Sequence, residues 1–213
     1  MIGREEVLFR SMMMGLAVAA PVGPMALLCM RRSLRLGWRR GLATGIGIAS
    51  GDGIYAAVAA LGLAGVTRFL FVHAVILRLL AGVALIYLGV RVWRSHPPLV
   101  KDVSSGGLVG GSSLADFFSA IWLTLANLPT ILTFMALFST LAPRGRFDPD
   151  IATITVVGVF GGSALWWCGV VGIMTAFQPV IGGAPLRWID RGAGLALMIF
   201  GLVDLSGVGW ALY

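Results

Sequence analysis

Apolar residues run through this chain in six long stretches, at about 11–30, 41–66, 75–93, 114–141, 151–177 and 192–210. Each approaches or exceeds the roughly 20 apolar residues that a helix needs to cross a bilayer. Polar residues collect between them: Arg31 to Arg40, a turn around Arg68 and His73, Arg94 to Ser113, Ala142 to Asp150, and Gln178 to Arg191. The pattern predicts an all-α integral membrane protein with six transmembrane helices. Arg78 sits in the first turn of the third stretch, so that span is expected to tilt or to begin later. The first stretch is not a secretory signal. Arg4 and Arg10 are offset by Glu5 and Glu6, and the apolar run continues through Pro21-Val22-Gly23-Pro24 to Met30 before Arg31-Arg32 stops it.

Composition agrees. Of the 213 residues 58% are hydrophobic and 12% charged, with a mean hydropathy of +0.94. A soluble domain carries about twice that share of charge, which excludes a soluble enzyme, a nucleic-acid-binding domain and a disordered chain. The net charge of +7 comes from basic residues that flank apolar stretches rather than lining one face, so no nucleic-acid partner is expected. Those residues report topology instead. The first, third and fifth connections hold ten Lys and Arg and the opposite side six, which places the odd connections in the cytoplasm and both termini outside.

The third connection, with Pro97-Pro98, Lys101-Asp102 and a Gly/Ser tract, is a flexible linker of about 94–113. It divides one transporter domain into repeats of about 11–93 and 114–210. Gly82-Val-Ala-Leu-Ile-Tyr-Leu-Gly89 echoes Gly194-Leu-Ala-Leu-Met-Ile-Phe-Gly201, and Gly51-Asp52-Gly53-Ile-Tyr55 echoes Gly162-Ser163-Ala164-Leu-Trp166. Pro21-Val-Gly-Pro24 is matched by Asn127-Leu-Pro129. Three spans per half force the second copy to cross in the opposite sense, so two inverted three-helix repeats are expected, the plan of secondary transporters.

Pro21, Pro24 and Pro129 fall near mid-span and break helices 1 and 4, freeing the carbonyls of Ala17, Ala20 and Leu125. Such groups persist at that depth only where protein, water or a ligand satisfies them. One proline is an ordinary kink; breaks at matching places in both halves point to a midplane substrate site of Pro21, Gly23, Pro24, Asn127, Pro129 and Thr130. Asp52 is the sole acidic residue well inside a span. A charged Asp at a helix centre costs ~2.5–3.5 kcal/mol, so it must be protonated, paired or facing a wet cavity. Either it couples transport to protons, or it is satisfied locally by Ser50, Thr44 or an arginine. Ser163, its counterpart, and Trp166 join the candidate site, core packing being the plainer role for Trp166 and Trp167. Gly41, Gly45, Gly47, Gly51, Gly158 and Gly162 form small-residue faces for close helix packing, within a subunit or in a homodimer. Trp93, Trp188 and Trp210 suit interfacial anchoring, and Arg31–Arg40 can also touch lipid headgroups. No P-loop, GxSxG or HExxH motif occurs, and His73 and His96 stand apart, so neither catalysis nor a cofactor or metal is expected.

Pro21-Val-Gly-Pro24, Arg32-Ser-Leu-Arg-Leu-Gly37, Gly41 and Gly47-Ile-Ala-Ser-Gly-Asp52 resemble the opening of the lysine-exporter (LysE/RhtB) translocators. Leu123-Thr-Leu-Ala-Asn127, Thr130-Ile-Leu132, Gly161-Gly-Ser-Ala-Leu-Trp166-Trp167 and Leu186-Arg-Trp-Ile-Asp-Arg191 extend the resemblance over nearly the whole chain. It implies proton-driven efflux of amino acids or close analogues across a bacterial cytoplasmic membrane. Family members usually carry adjacent Asn-Pro in the fourth span; here Leu128 intervenes, moving the break by one residue. Relatives in the wider superfamily leave two alternatives. One is a thiol-redox carrier using Cys29 and Cys168; the other is a divalent-metal exporter, for which Asp52 alone is a thin ligand set.

Overall fold

The computed structural model describes residues 3–21, 23–60, 72–94, 112–127, 130, 134, 149–178 and 183–210. They form seven helices: α1 (Arg4–Ala19), α2 (Pro24–Leu36), α3 (Trp38–Ala60), α4 (Ala74–Arg94), α5 (Ser113–Ala126), α6 (Pro149–Phe177) and α7 (Gly183–Trp210). Among the described residues, α3 and α6 are long and apolar enough to cross a membrane, and the bent pair α1–α2 makes a third candidate. The large exposed side chains are mostly apolar, among them Leu79, Val83 and Tyr87 on α4 and Val157, Leu165 and Ile173 on α6. Water would penalise such a surface; lipid would not.

Local chemistry explains the boundaries. Proline stands at the first position of α2, where a missing N–H costs nothing, and the α1 and α2 axes meet at 83°. Gly37 turns the chain from α2 into α3 with φ +86, a left-handed value that favours glycine. Ser112 caps α5 by accepting from the Ala115 N–H at 3.2 Å. The same helix ends at Ala126, where Asn127 adopts an extended conformation. Among the described residues helices thus end beside both expected breaks, at Ala19 and at Ala126; Pro129 itself lies outside the described residues.

Glycines set how closely the helices approach. On α3, a Cβ at Gly45 would lie 2.7 Å from Trp167 Cβ, and one at Gly51 2.7 Å from Thr124 Cγ2. A Cβ at Gly158 would press on Ser11 of α1, and one at Gly162 on the Met12 carbonyl. The expected small-residue faces thus pack within one chain. Contacts between α4 and α7 follow a swapped pattern. A Cβ at Gly82 would lie 2.9 Å from the Gly201 carbonyl oxygen, and one at Gly89 2.7 Å from that of Gly194. In sequence, Gly82 matches Gly194 and Gly89 matches Gly201. Such reciprocal pairing is what a two-fold relation between contacting surfaces produces. Equivalent swapping relates α1–α6 to α3–α5: Gly158 and Gly162 meet α1, whereas Gly47 and Gly51 meet α5.

Buried apolar residues form two clusters. The larger joins Leu28, Cys29, Ile48, Ala49, Trp167 and Leu197; the smaller joins Tyr55, Ala56, Phe134 and Val159. Along α3 the boundary falls at Asp52, and along α6 at Ser163. A polar layer thus separates two apolar ones.

Candidate functional site

Asp52 is 2% exposed, and the Ser163 hydroxyl donates to its Oδ2 at 2.7 Å. Neither local alternative supplies this partner. Ser50 donates to the Ile46 carbonyl, and Thr44 donates to the Arg40 carbonyl while accepting from Arg32. Both are helix-internal turns that leave Asp52 to reach across to α6. The repeat-matched pair Asp52 and Ser163 therefore meets at the crossing of α3 and α6.

Asp52 also lines a cavity of about 340 Å³ between the two helix breaks. Pro21, Gly23 and Pro24 border it from the α1–α2 break, and Asn127 and Thr130 from the end of α5. Among the described residues Asp52 is the one ionisable member of its lining, which is otherwise apolar or neutral. Two helix ends face this space with opposite polarity. The α2 N-terminus presents the first-turn N–H groups of Met25 and Ala26, whose side of the helix borders the cavity. The C-terminal end of α5, the negative end of a helix dipole, borders the same space at Thr124 and Asn127.

Several participants were hidden in the sequence. Trp167, rather than Trp166, lines the cavity; Trp166 is half-buried against the edge of the larger apolar cluster. Adjacent residues on a helix point about 100° apart, and only the packing of α6 on α3 selects between them. Trp167 Nε1 and Thr124 Oγ1 are buried without hydrogen-bond partners among the described residues. Both belong to residues that border the cavity. Tyr55, one helical turn beyond Asp52, donates its hydroxyl to the Leu125 carbonyl, the group Pro129 was expected to free. That carbonyl is satisfied by protein. The spacing of Tyr55 from Asp52 was the available signal. Phe200 and Val203 of α7 close the cavity and had none.

A second polar assembly lies at the other end of α2. Asp116, in the first turn of α5, pairs with Arg32 at 3.2 Å and with Arg40. Asp190, on α7, pairs with Arg31 at 3.0 Å and with Arg35. Arg32 is buried and also donates to Thr44, the Asp116 carbonyl and Ser119. The cluster expected to mark topology is thus a network that ties α2 and α3 to α5 and α7. Cys29 is buried and Cys168 exposed, both as free thiols. Among the described residues no group of three His, Cys, Asp or Glu is placed to hold a metal ion.

No curated protein and no solved structure matches the chain. The family profile of the LysE type translocators matches residues 16–206, a span that takes in both helix breaks, Asp52, Ser163 and the arginine–aspartate network. With that match covering most of its length, this chain belongs to the LysE type translocator family.

Proposed function

We propose that this translocator exports small zwitterionic or hydroxylated amino acids, or their derivatives, by alternating access driven by the proton gradient. The carrying observation is the convergence of two helix breaks and Asp52 on one cavity. Its volume of about 340 Å³ falls at the small end of ligand sites. A zwitterion matches the opposed helix ends. Its carboxylate is offered the α2 first-turn N–H groups, and its ammonium the negative end of the α5 dipole and Asp52. Pro21, Gly23, Pro24, Asn127, Pro129, Thr130, Ser163 and Trp166 complete the proposed substrate site, with Trp167 the better-placed of the two tryptophans.

The proposed frame is two inverted repeats of three spans each, and the swapped glycine contacts of α4 with α7 support it. The proposed setting is a bacterial cytoplasmic membrane, as the family resemblance implies, and the excess of Lys and Arg on the odd connections supports an orientation with both termini outside. Asp52 carries the coupling proton. Among the described residues it is the one ionisable group lining the cavity, and Ser163 can hydrogen-bond to either protonation state. Asp52→Asn keeps the size and a bond to Ser163 but holds the neutral form. In proteoliposomes it should abolish pH-gradient-driven efflux and flatten the pH profile, while exchange of labelled amino acid continues. Efflux at the wild-type rate with an unchanged pH profile would return Asp52 to a structural role.

A further inference from the structure

We propose that the arginine-rich end of the helix bundle holds a binding site for the phosphate headgroup of an anionic phospholipid. A cavity of about 280 Å³ lies there between α2, α3, α4 and α5, apart from the one lined by Asp52. Arg31, Arg32, Arg40 and Arg91 all line it, with Asp116 as the one acidic member among the described residues. Adding Arg35 and Asp190, which share the network, five arginines face two carboxylates among the described residues. Among the described residues, positive charge therefore outnumbers negative in this cluster. Each carboxylate is already engaged by two arginines, so neither has spare charge to offer. Arg91 has no ion-pair partner among the described residues, and it lines the same cavity as Arg31. Crowded like charges partly withdrawn from water are costly unless an anion joins them.

The shape of the site selects the anion. Guanidinium groups match phosphate oxygens in bidentate geometry. Beside the arginines, the walls are mostly apolar, with Leu28, Leu36, Leu88 and Val92 offering nothing to a free inorganic ion and the Ser119 hydroxyl already bonded to Arg32 and the Asp116 carbonyl. A charged head with an attached hydrocarbon chain satisfies both halves of the cavity. A zwitterionic amino acid fits less well, because its ammonium would need an acceptor. Asp116 Oδ1 and Oδ2 are taken by Arg32 and Arg40 respectively. The site stands at the ends of apolar helices, where headgroups lie, and basic pockets between helices are known to hold anionic lipid heads. Bound there, the lipid would join α4, which brings Arg91 without an ion pair, to the network on α2, α3 and α5.

Thermal unfolding of the detergent-purified protein, titrated with short-chain phosphatidylglycerol, phosphatidylcholine or inorganic phosphate, tests this. Phosphatidylglycerol should raise the melting temperature saturably, as a ligand of the folded state does, and phosphatidylcholine should not. Arg91→Gln breaks no described ion pair and should weaken the half-saturation about tenfold, the loss of one charge-assisted contact. Arg94→Gln, at an arginine of the same helix that is exposed like Arg91 but stands outside the cavity lining, should behave as wild type. Native mass spectrometry of the wild type from mixed micelles should show retained phosphatidylglycerol in preference to phosphatidylcholine. Equal shifts or equal retention for the two lipids would overturn the proposal, as would equal weakening by Arg91→Gln and Arg94→Gln. A saturable shift from inorganic phosphate alone would assign the cavity to a soluble anion and overturn the lipid.

Discussion

Removing one oxygen from Tyr55 tests how the break after α5 is held. In Tyr55→Phe the ring remains in place against Phe134, whose centroid lies 5.7 Å away, so packing changes little. What disappears is the donor to the Leu125 carbonyl. Tyr55 is buried in the smaller apolar cluster and Leu125 packs at its edge, so bulk water does not take over the vacated bond. A buried acceptor left unmatched costs about 1–3 kcal/mol. Hydrogen bonds between membrane helices average nearer ~0.6 kcal/mol, because freed groups find other partners. The upper range applies if the carbonyl stays sealed, and the lower if it turns into the cavity that Asn127 borders. For a chain of this size, 1–3 kcal/mol corresponds to a melting temperature lowered by about 2–12 °C. Purified wild-type and Tyr55→Phe proteins, unfolded in the same detergent, provide the comparison. Phe134→Leu serves as the control that disturbs the ring contact and keeps the hydroxyl. A Tyr55→Phe protein that melts with the wild type would refute the view that this hydroxyl holds the break.

Gly162→Ala and Gly161→Ala should separate sharply. The first forces a Cβ onto the Met12 carbonyl and should cost about 1–3 kcal/mol, while the second meets nothing within 4 Å and should leave the melting temperature unchanged or slightly raised. Asp116→Asn removes the shared partner of Arg32 and Arg40, and should destabilise by about 3–5 kcal/mol in denaturation measurements. Adding Arg40→Gln to it should recover part of that loss. Reporter fusions after Ser95 and after Tyr213 should give cytoplasmic and external signals respectively; signals from the same side would sink the six-span arrangement.

Much of the architecture could be read from neighbouring residues because its causes are local. Proline removes a backbone donor wherever it stands, so Pro24 starts a new helix regardless of what surrounds it. Glycine at every fourth position makes a smooth helical face, and Gly158 and Gly162 duly lie against another helix. The apolar composition dictated helices, and the solitary Asp52 announced itself by the cost of placing a carboxylate among apolar residues. The sequence could say that these features existed and how they were spaced along each helix.

Partners across the fold were another matter. The Asp52–Ser163 bond joins residues 111 positions apart, and the pairing of Arg31 with Asp190 spans 159. A local match, such as Ser50 or Thr44 for Asp52, looks equally good in sequence, but each of these hydroxyls is closer to a carbonyl in its own helix. Trp166 and Trp167 have the same chemistry, and only the rotation of α6 against α3 turns the second toward the cavity. The arginines after α2 had the composition of a topology signal. The folds of α5 and α7 brought two carboxylates to them and left a basic cavity beside α4. The sequence alone determined the helices, their breaks and their packing faces, because those follow from each residue's own backbone and volume. Tertiary structure decided which polar group meets which, because that depends on how whole helices are rotated and paired, and a rotation of one residue exchanges one partner for another.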